Sequence, residues 1–277
     1  MKLLVIGNPV KHSKSPLIHN YWLKGRNLDF IYDKKLVVEA DLKNVISDIK
    51  FNKIKGINIT LPYKRLITKY CDEIEDNALN TGAINTLYKK GDKLIGANTD
   101  GIGFCNALKE ETQIAFKNSK IFVIGAGGAA RGILFEIIKE PVLEITIINR
   151  TVDKSIQLKK ELNQLNKNIL IKTQIWTNNT VPSDYNLVIN SSSYGMHLDE
   201  DLDINFSKIK ENSIICDIIY NPQETSFLKR AKKEKFKIIN GLGMLVHQAS
   251  ESFQRWFNIN LTNKEILNAK LLIMNKK

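Results

Sequence analysis

The chain has 277 residues, 43% hydrophobic and 25% charged, with a net charge of +12. Length and composition are those of a soluble two-domain protein; no apolar run approaches the ~20 residues of a membrane span, and the start Met1-Lys2-Leu3-Leu4-Val5-Ile6-Gly7 is too short for a signal peptide, so the expected location is the cytoplasm. The positive charge is scattered, with small clusters at Lys229-Arg230-Ala231-Lys232-Lys233 and at the C-terminus, which fit solvated helix faces better than a nucleic-acid-binding patch.

The first third alternates strand-like and helix-like segments. An apolar strand is expected over 2–6, then a helix over 16–24 with Ser15 as its N-cap and Pro16 in its first turn. A second strand spans 30–38. Residues 40–50 place Leu42, Val45, Ile46 and Ile49 on one helical face. A third strand over 56–61 ends at Pro62, and a short helix follows over 63–70. Strands over 83–88 and 93–96 form a hairpin around Lys90-Gly91-Asp92, and a helix over 99–109 leaves this domain. Strand–helix alternation implies an α/β domain with a mainly parallel sheet.

The second domain begins at Ser119. The strand Ile121-Phe122-Val123-Ile124 runs into Gly125-Ala126-Gly127-Gly128-Ala129-Ala130 and then a breaker-poor helical stretch. Strand, glycine turn and helix in that order fit a dinucleotide-binding βα unit, with Gly125 in the tight turn, Gly127 opening backbone to a pyrophosphate and Ala130 packing helix on strand. Later strands are expected over 144–149, 169–176, 187–190, 213–217 and 237–239, and closing helices over 246–257 and 264–274.

The strand over 144–149 ends in Asn149, Arg150 and Thr151, where an NAD enzyme usually carries an acid for the ribose hydroxyl. A guanidinium grips a 2′-phosphate, so the residues favour NADP, with Thr151 and Lys154 adding a hydroxyl and a second charge. The three cysteines are odd in number, far apart and without a Cys-x-x-Cys spacing, which argues against a disulfide framework and structural zinc, and the four histidines form no ligand pair; no metal site is expected. In the first domain, polar loops cluster at predicted strand ends: Ser13-Lys14-Ser15-Pro16, Asn58-Ile59-Thr60-Leu61-Pro62-Tyr63-Lys64, Gly82-Ala83-Ile84-Asn85-Thr86 and Asn98-Thr99-Asp100-Gly101. Together they suit a polyhydroxylated ligand in the crevice at the carboxyl ends of an α/β sheet.

These stretches, with Asp217-Ile218-Ile219-Tyr220-Asn221-Pro222 and Asn240-Gly241-Leu242-Gly243-Met244-Leu245 leading to Gln248, resemble shikimate dehydrogenases from end to end. The resemblance implies NADP-linked interconversion of 3-dehydroshikimate and shikimate, in aromatic amino-acid biosynthesis. It implies an N-terminal substrate domain, 1–100 plus 242–277, completed by C-terminal helices, a Rossmann-type NADP domain, 101–241, and a cleft between them. By the same resemblance Ser13 and Ser15 hold the substrate carboxylate, with Tyr220 nearby, and Thr60, Asn85, Asp100 and Gln248 bond ring hydroxyls. Lys64 matches the catalytic lysine and Asp100 its partner. Gly125, Ala126, Gly127, Gly128 and Ala129 match the phosphate loop, Asn149, Arg150, Thr151 and Lys154 the 2′-phosphate grip, and Ile218 and Gly241 contacts near the nicotinamide. Asp76 falls at a position sometimes assigned to the cofactor. Two departures are Lys154, where the family often has Arg, and Asn190-Ser191-Ser192-Ser193, where it has Asn-Ala-Thr-Ser. Family members occur as monomers and homodimers, and both stay open. The alternatives are a quinate/shikimate dehydrogenase with broader substrate or NAD use, a basic nucleic-acid-binding protein, and an inactive ligand sensor; retention of Lys64 and Asp100 speaks against the last.

Overall fold

The computed structural model describes residues 1–177, 180, 182–197, 200–202 and 204–275. Its first part runs β1 (Lys2–Gly7), α1 (Ser15–Gly25), β2 (Ile31–Leu36), α2 (Leu42–Lys50), β3 (Ile54–Ile59), β4 (Glu73–Ile74), α3 (Asp76–Thr81), β5 (Thr86–Lys90), β6 (Lys93–Ala97) and α4 (Asp100–Thr112). The strands form one sheet in the order β2-β1-β3-β5-β6-β4. Strand β1 lies parallel to β2 and β3, and β4 parallel to β6, whereas β5 runs antiparallel to both of its neighbours. The tight turn at Gly91 has φ +59° and reverses the chain, so the hairpin interrupts an otherwise parallel sheet. The predicted face of α2 is the buried one, packing Leu42, Val45, Ile46 and Ile49 against Leu4, Ile6, Ile57 and Ile59 of the sheet. Each such side chain stabilises the fold by about 1.5–3 kcal/mol relative to exposure.

Two expectations change. Ser15 does not cap α1: it is the first helical residue, Lys14 occupies the cap position without a side-chain bond, and Ser13 Oγ accepts from Ser15 N–H at 3.3 Å. The helix expected over 63–70 is a 3₁₀ segment, Leu66–Tyr70, which follows a turn. Strand β4 and helix α3 carry no periodic apolar signal, and neither was expected; α3 ends at Gly82, whose φ of +62° gives the left-handed cap.

The second part contains β7 (Lys120–Ile124), α5 (Gly128–Ile137), β8 (Glu144–Asn149), α6 (Val152–Leu165), β9 (Leu170–Ile175), β10 (Leu187–Asn190), β11 (Ile214–Asp217), α7 (Ser226–Lys233) and β12 (Lys237–Ile239). Helices α8 (Leu242–Phe257) and α9 (Asn263–Asn275) close the chain. The second sheet has the order β12-β11-β10-β7-β8-β9, and all its pairs are parallel. Its central strands read as unbroken apolar runs because both faces are covered. Ile121 and Val123 of β7 join the core with Ile133 and Leu134 of α5, while Phe122 and Ile124 join Phe227 and Leu228 of α7. Strand order reverses between β7 and β10, a topological switch point at whose carboxyl edge ligands bind.

Residues Met1–Gly103 with Leu245–Lys277 form one compact unit, and Phe104–Met244 forms the other. The unit boundaries fall inside α4 and α8. Among the described residues no helix is long and apolar enough to cross a membrane.

Candidate active site

In the first unit, five predicted site residues, Thr60, Lys64, Asn85, Asp100 and Gln248, lie in or beside one hydrogen-bonded cluster. Thr60 follows β3, and its N–H donates to Ile6 O at 2.9 Å. Tyr63 N–H donates to Thr60 O at 3.1 Å, which tightens the turn that carries Lys64. The Lys64 carbonyl accepts from Ile84 N–H at 2.7 Å, pinning that turn to the segment before β5. Lys64 Nζ donates to Asp100 Oδ2 at 2.6 Å, with the side chains 27% and 14% exposed. A charge-assisted bond of this length in a partly desolvated place is strong.

Asp100 opens α4, and its N–H donates to Asn98 Oδ1 at 3.0 Å. Asn85 is buried. Its Oδ1 accepts from Thr99 N–H at 2.9 Å, and its Nδ2 donates to Asp100 Oδ1 at 2.8 Å. The two oxygens of Asp100 are thus shared between an amide and an ammonium. Gln248 of α8 accepts from Thr99 Oγ1 at 3.4 Å through Oε1 and donates to Leu245 O at 2.8 Å through Nε2. Ser13 and Ser15 sit together at the start of α1, Ser13 half-buried and Ser15 buried. Asp76 stands exposed in the first turn of α3, and among the described residues no hydrogen bond joins it to this cluster.

In the second unit, Gly125 follows β7 with φ +107°, and a Cβ there would come within 2.9 Å of Ser191 Oγ after β10, so the switch point needs glycine twice over. Beside it the space next to Gly127 and Gly128 is open, and Gly127 caps α5 without a side chain. The first N–H groups of α5 therefore lack intrahelical acceptors and point their dipole at that space, which suits a pyrophosphate. Ala126 is buried, Ala129 half-buried, and Ala130 fully buried against the sheet.

Asn149 ends β8. Its Oδ1 accepts from Ala126 N–H at 3.1 Å and its Nδ2 donates to Thr151 O at 2.8 Å. The amide ties the glycine turn to the turn that presents Arg150 and Thr151. Arg150, Thr151 and Lys154 are exposed, and Arg150 and Lys154 have no ion-pair partner among the described residues. No carboxylate occupies the strand end, so the residues present fit a 2′-phosphate.

Ile218 and Tyr220 lie on the loop after β11. Burial raises the Tyr220 phenol above its ordinary value, so it stays a neutral donor. Gly241 approaches this loop so closely that a Cβ would stand 1.8 Å from Ile218 O, and its N–H donates to Ile219 O at 3.0 Å. Asp217 holds the loop from beneath: Oδ1 accepts from Asn190 Nδ2 at 3.1 Å and Ile219 N–H at 3.0 Å, and Oδ2 accepts from Thr225 Oγ1 at 2.8 Å. Burial raises its pKa in spite of these donors. Asp217, Asn58, Thr86 and Thr99 all stood inside the quoted stretches without a role. Ser252 of α8, whose Oγ accepts from Asn58 Nδ2 at 3.0 Å and lies 2.8 Å from Thr86 Oγ1, had one available signal, its position one helical turn after Gln248.

A family model described as shikimate dehydrogenase substrate binding domain matches residues 5–87, and one described as shikimate / quinate 5-dehydrogenase matches residues 107–223. The shikimate dehydrogenase (NADP(+)) of Pelagibacter ubique strain HTCC1062 is 39% identical over 256 residues, covering 92% of this chain and 93% of that one. A crystal structure of a shikimate dehydrogenase in complex with NADP+ aligns with a TM-score of 0.89 at 37% identity, covering 99% of this chain and 96% of that one. A ligand-free 5-ketofructose reductase of Gluconobacter sp. strain CHM43 aligns with a TM-score of 0.90 at 27% identity, covering 99% and 98%. The fold alone therefore does not name the substrate. The two family models together match most of the chain and the relative at 39% identity covers 92% of it, and the chain belongs to the shikimate dehydrogenase family.

Proposed function

We propose that the chain catalyses the reversible NADPH-linked reduction of 3-dehydroshikimate to shikimate. The observation that carries this reading is the Lys64 Nζ–Asp100 Oδ2 pair at 2.6 Å, flanked by Asn85 and by Thr99, which bonds Gln248. A ketone reduction needs a proton donor at the developing alkoxide, and an ammonium fixed by a carboxylate supplies both the proton and the stabilising charge. In the oxidising direction Lys64 accepts the hydroxyl proton as the neutral amine, or the proton is relayed through Asp100.

NADP(H), when bound, accepts or delivers the hydride. On this chain Arg150, Thr151 and Lys154 would hold its 2′-phosphate, with Asn149 setting their turn. Gly125, Ala126, Gly127, Gly128 and Ala129 would hold its pyrophosphate. Ile218 and Gly241 are assigned to the nicotinamide end, and Asp76 to a cofactor contact by resemblance. Ser13, Ser15 and Tyr220 would bind the substrate carboxylate through neutral hydroxyls, and Thr60, Asn85, Asp100 and Gln248 the ring hydroxyls. A cytoplasmic location suits Cys71, Cys105 and Cys216, which are free thiols.

Absorbance assays of NADP+ reduction with shikimate, run beside quinate and beside NAD+, test the reading. The expected result is the highest kcat/KM for shikimate with NADP+. Comparable values for quinate and NAD+ favour the broader quinate/shikimate activity instead. Lys64→Ala should lower kcat by ~10²–10⁴ with a smaller change in KM for shikimate. Near-normal kcat in that variant excludes Lys64 as the acid/base.

A further inference from the structure

Behind Asn85 lies a buried polar chain that no substrate contact requires. Tyr32 Oη donates to Asn58 Oδ1 at 2.7 Å. Asn58 Nδ2 faces Thr86 Oγ1 at 3.1 Å and Ser252 Oγ at 3.0 Å. Thr86 Oγ1 and Ser252 Oγ are 2.8 Å apart, and Thr86 Oγ1 donates to Asn85 Oδ1 at 2.9 Å. Asn58, Thr86 and Ser252 are at most 6% exposed. Four elements contribute: β2, β3, β5 and α8. Tyr32, Asn58, Thr86 and Ser252 all belong to the unit that carries Lys64.

We infer that Thr86 and Ser252, with Asn58, are positioning residues that lock the Asn85 amide and, through it, the Asp100–Lys64 pair. The inference rests on the proposed role of Lys64. The physical reason lies in the donor count. Asn85 Oδ1 accepts from Thr99 N–H and from the Thr86 hydroxyl, so the carbonyl end cannot rotate toward Asp100 without losing both bonds. That leaves Nδ2 to donate to Asp100 Oδ1, and Asp100 then presents only Oδ2 to Lys64 Nζ. Thr86 can donate to Asn85 because Asn58 fills its acceptor side. Asn58 in turn is oriented by Tyr32, whose hydroxyl donates to its carbonyl oxygen. Buried networks of this kind are rigid when every member is satisfied and permissive when one is removed.

Thr86→Val keeps the shape and removes the hydroxyl, while Thr86→Ser keeps the hydroxyl. Thr86→Val should lower kcat for shikimate oxidation about tenfold, leave KM for NADP+ unchanged and enlarge the solvent deuterium isotope effect on kcat, because a mispositioned pair slows the proton step. Thr86→Ser should restore kcat to within about threefold of the parent, and Ser252→Ala should show a weaker version of the same loss. A role confined to stability predicts a lower Tm with kcat and the isotope effect intact; that result overturns the inference while Lys64→Ala remains inactive. Should Thr86→Val fail to fold, Ser252→Ala carries the same test. An active Lys64→Ala enzyme overturns the inference together with the reading beneath it.

Discussion

Arg150 and Asn149 are neighbours with opposite jobs. Arg150 extends into solvent, while both ends of the Asn149 amide are engaged within the protein, on Ala126 N–H and Thr151 O. Arg150→Ala should therefore raise KM for NADPH by about ten- to a hundredfold, the worth of a charge-assisted hydrogen bond, and change KM for NADH far less. Equal effects on the two cofactors remove the 2′-phosphate assignment. Asn149→Ala should instead weaken both cofactors alike, since it loosens the glycine turn. A residue with no assigned part in the chemistry sets an acid limit on stability. His19 is fully buried in α1, stacked on Tyr32 at 4.3 Å, and neither ring nitrogen has a hydrogen-bond partner. Burial pushes its imidazole down to about 3, opposed by the nearby Asn58 amide. The folded value lies below the unfolded one, so this contribution to stability is present above pH ~6.5 and is lost as pH falls toward 3. The loss is at most about 1.4 kcal/mol per pH unit. Denaturant unfolding across that window should show a shallower slope for His19→Leu than for the parent. An identical slope means that His19 is not protonated on unfolding there. The sequence made Lys64 and Arg150 legible because each sits beside a turn-forming stretch of distinctive residues. His19 carried no such mark, since its neutrality comes from Tyr32, Phe253 and Trp256 packed around it.

At the scale of elements, loops between strand and helix hold the candidate site, and close backbone approaches set those loops. Gly241 is the tightest: its missing Cβ makes room for Ile218 O. Gly241→Ala should cost at least 1–3 kcal/mol by overpacking, read as a Tm lower by several degrees, and should weaken NADP+ binding measured by fluorescence titration. Unchanged Tm and affinity would show that the loop after β11 gives way freely. Asp217 joins β11 to α7 through Thr225, whose side chain in turn accepts from Leu228 N–H and caps α7. The apolar runs of β7, β8, β10 and β11 were legible because a doubly covered parallel strand needs no polar alternation. Helix α3 was not, since its six residues, Asp76–Thr81, are too few for periodicity and their order depends on the Gly82 cap and the neighbouring sheet. The α1 cap shows the same limit from the other side: Ser15 has the right residue type, but Pro16 and the turn at Ser13 set where the helix begins.

For the whole molecule, the division into two units predicts separable protection in hydrogen exchange. NADP+ should slow exchange at 125–131 and 149–154, and shikimate at 58–64 and 84–100, each without the other ligand present. Protection of 125–131 by shikimate alone would contradict this assignment of sites to units. The sequence by itself determined the family, the two-part α/β plan and the NADP preference, and it singled out Lys64 and Asp100 as candidates. Those features reside in local stretches of distinctive residue types: glycine where φ is positive, an exposed Arg at a strand end, a Lys and an Asp after strands. Only the tertiary structure decided that Asn85 faces Asp100 with its nitrogen, that Asn149 is consumed in bracing the glycine turn, and that Thr86, Asn58 and Ser252 stand behind the pair. A hydrogen bond between Asn58 and Ser252, 194 positions apart, leaves no pattern in the chain, because its direction is set by the packing of β3, β5 and α8 rather than by any neighbour in sequence.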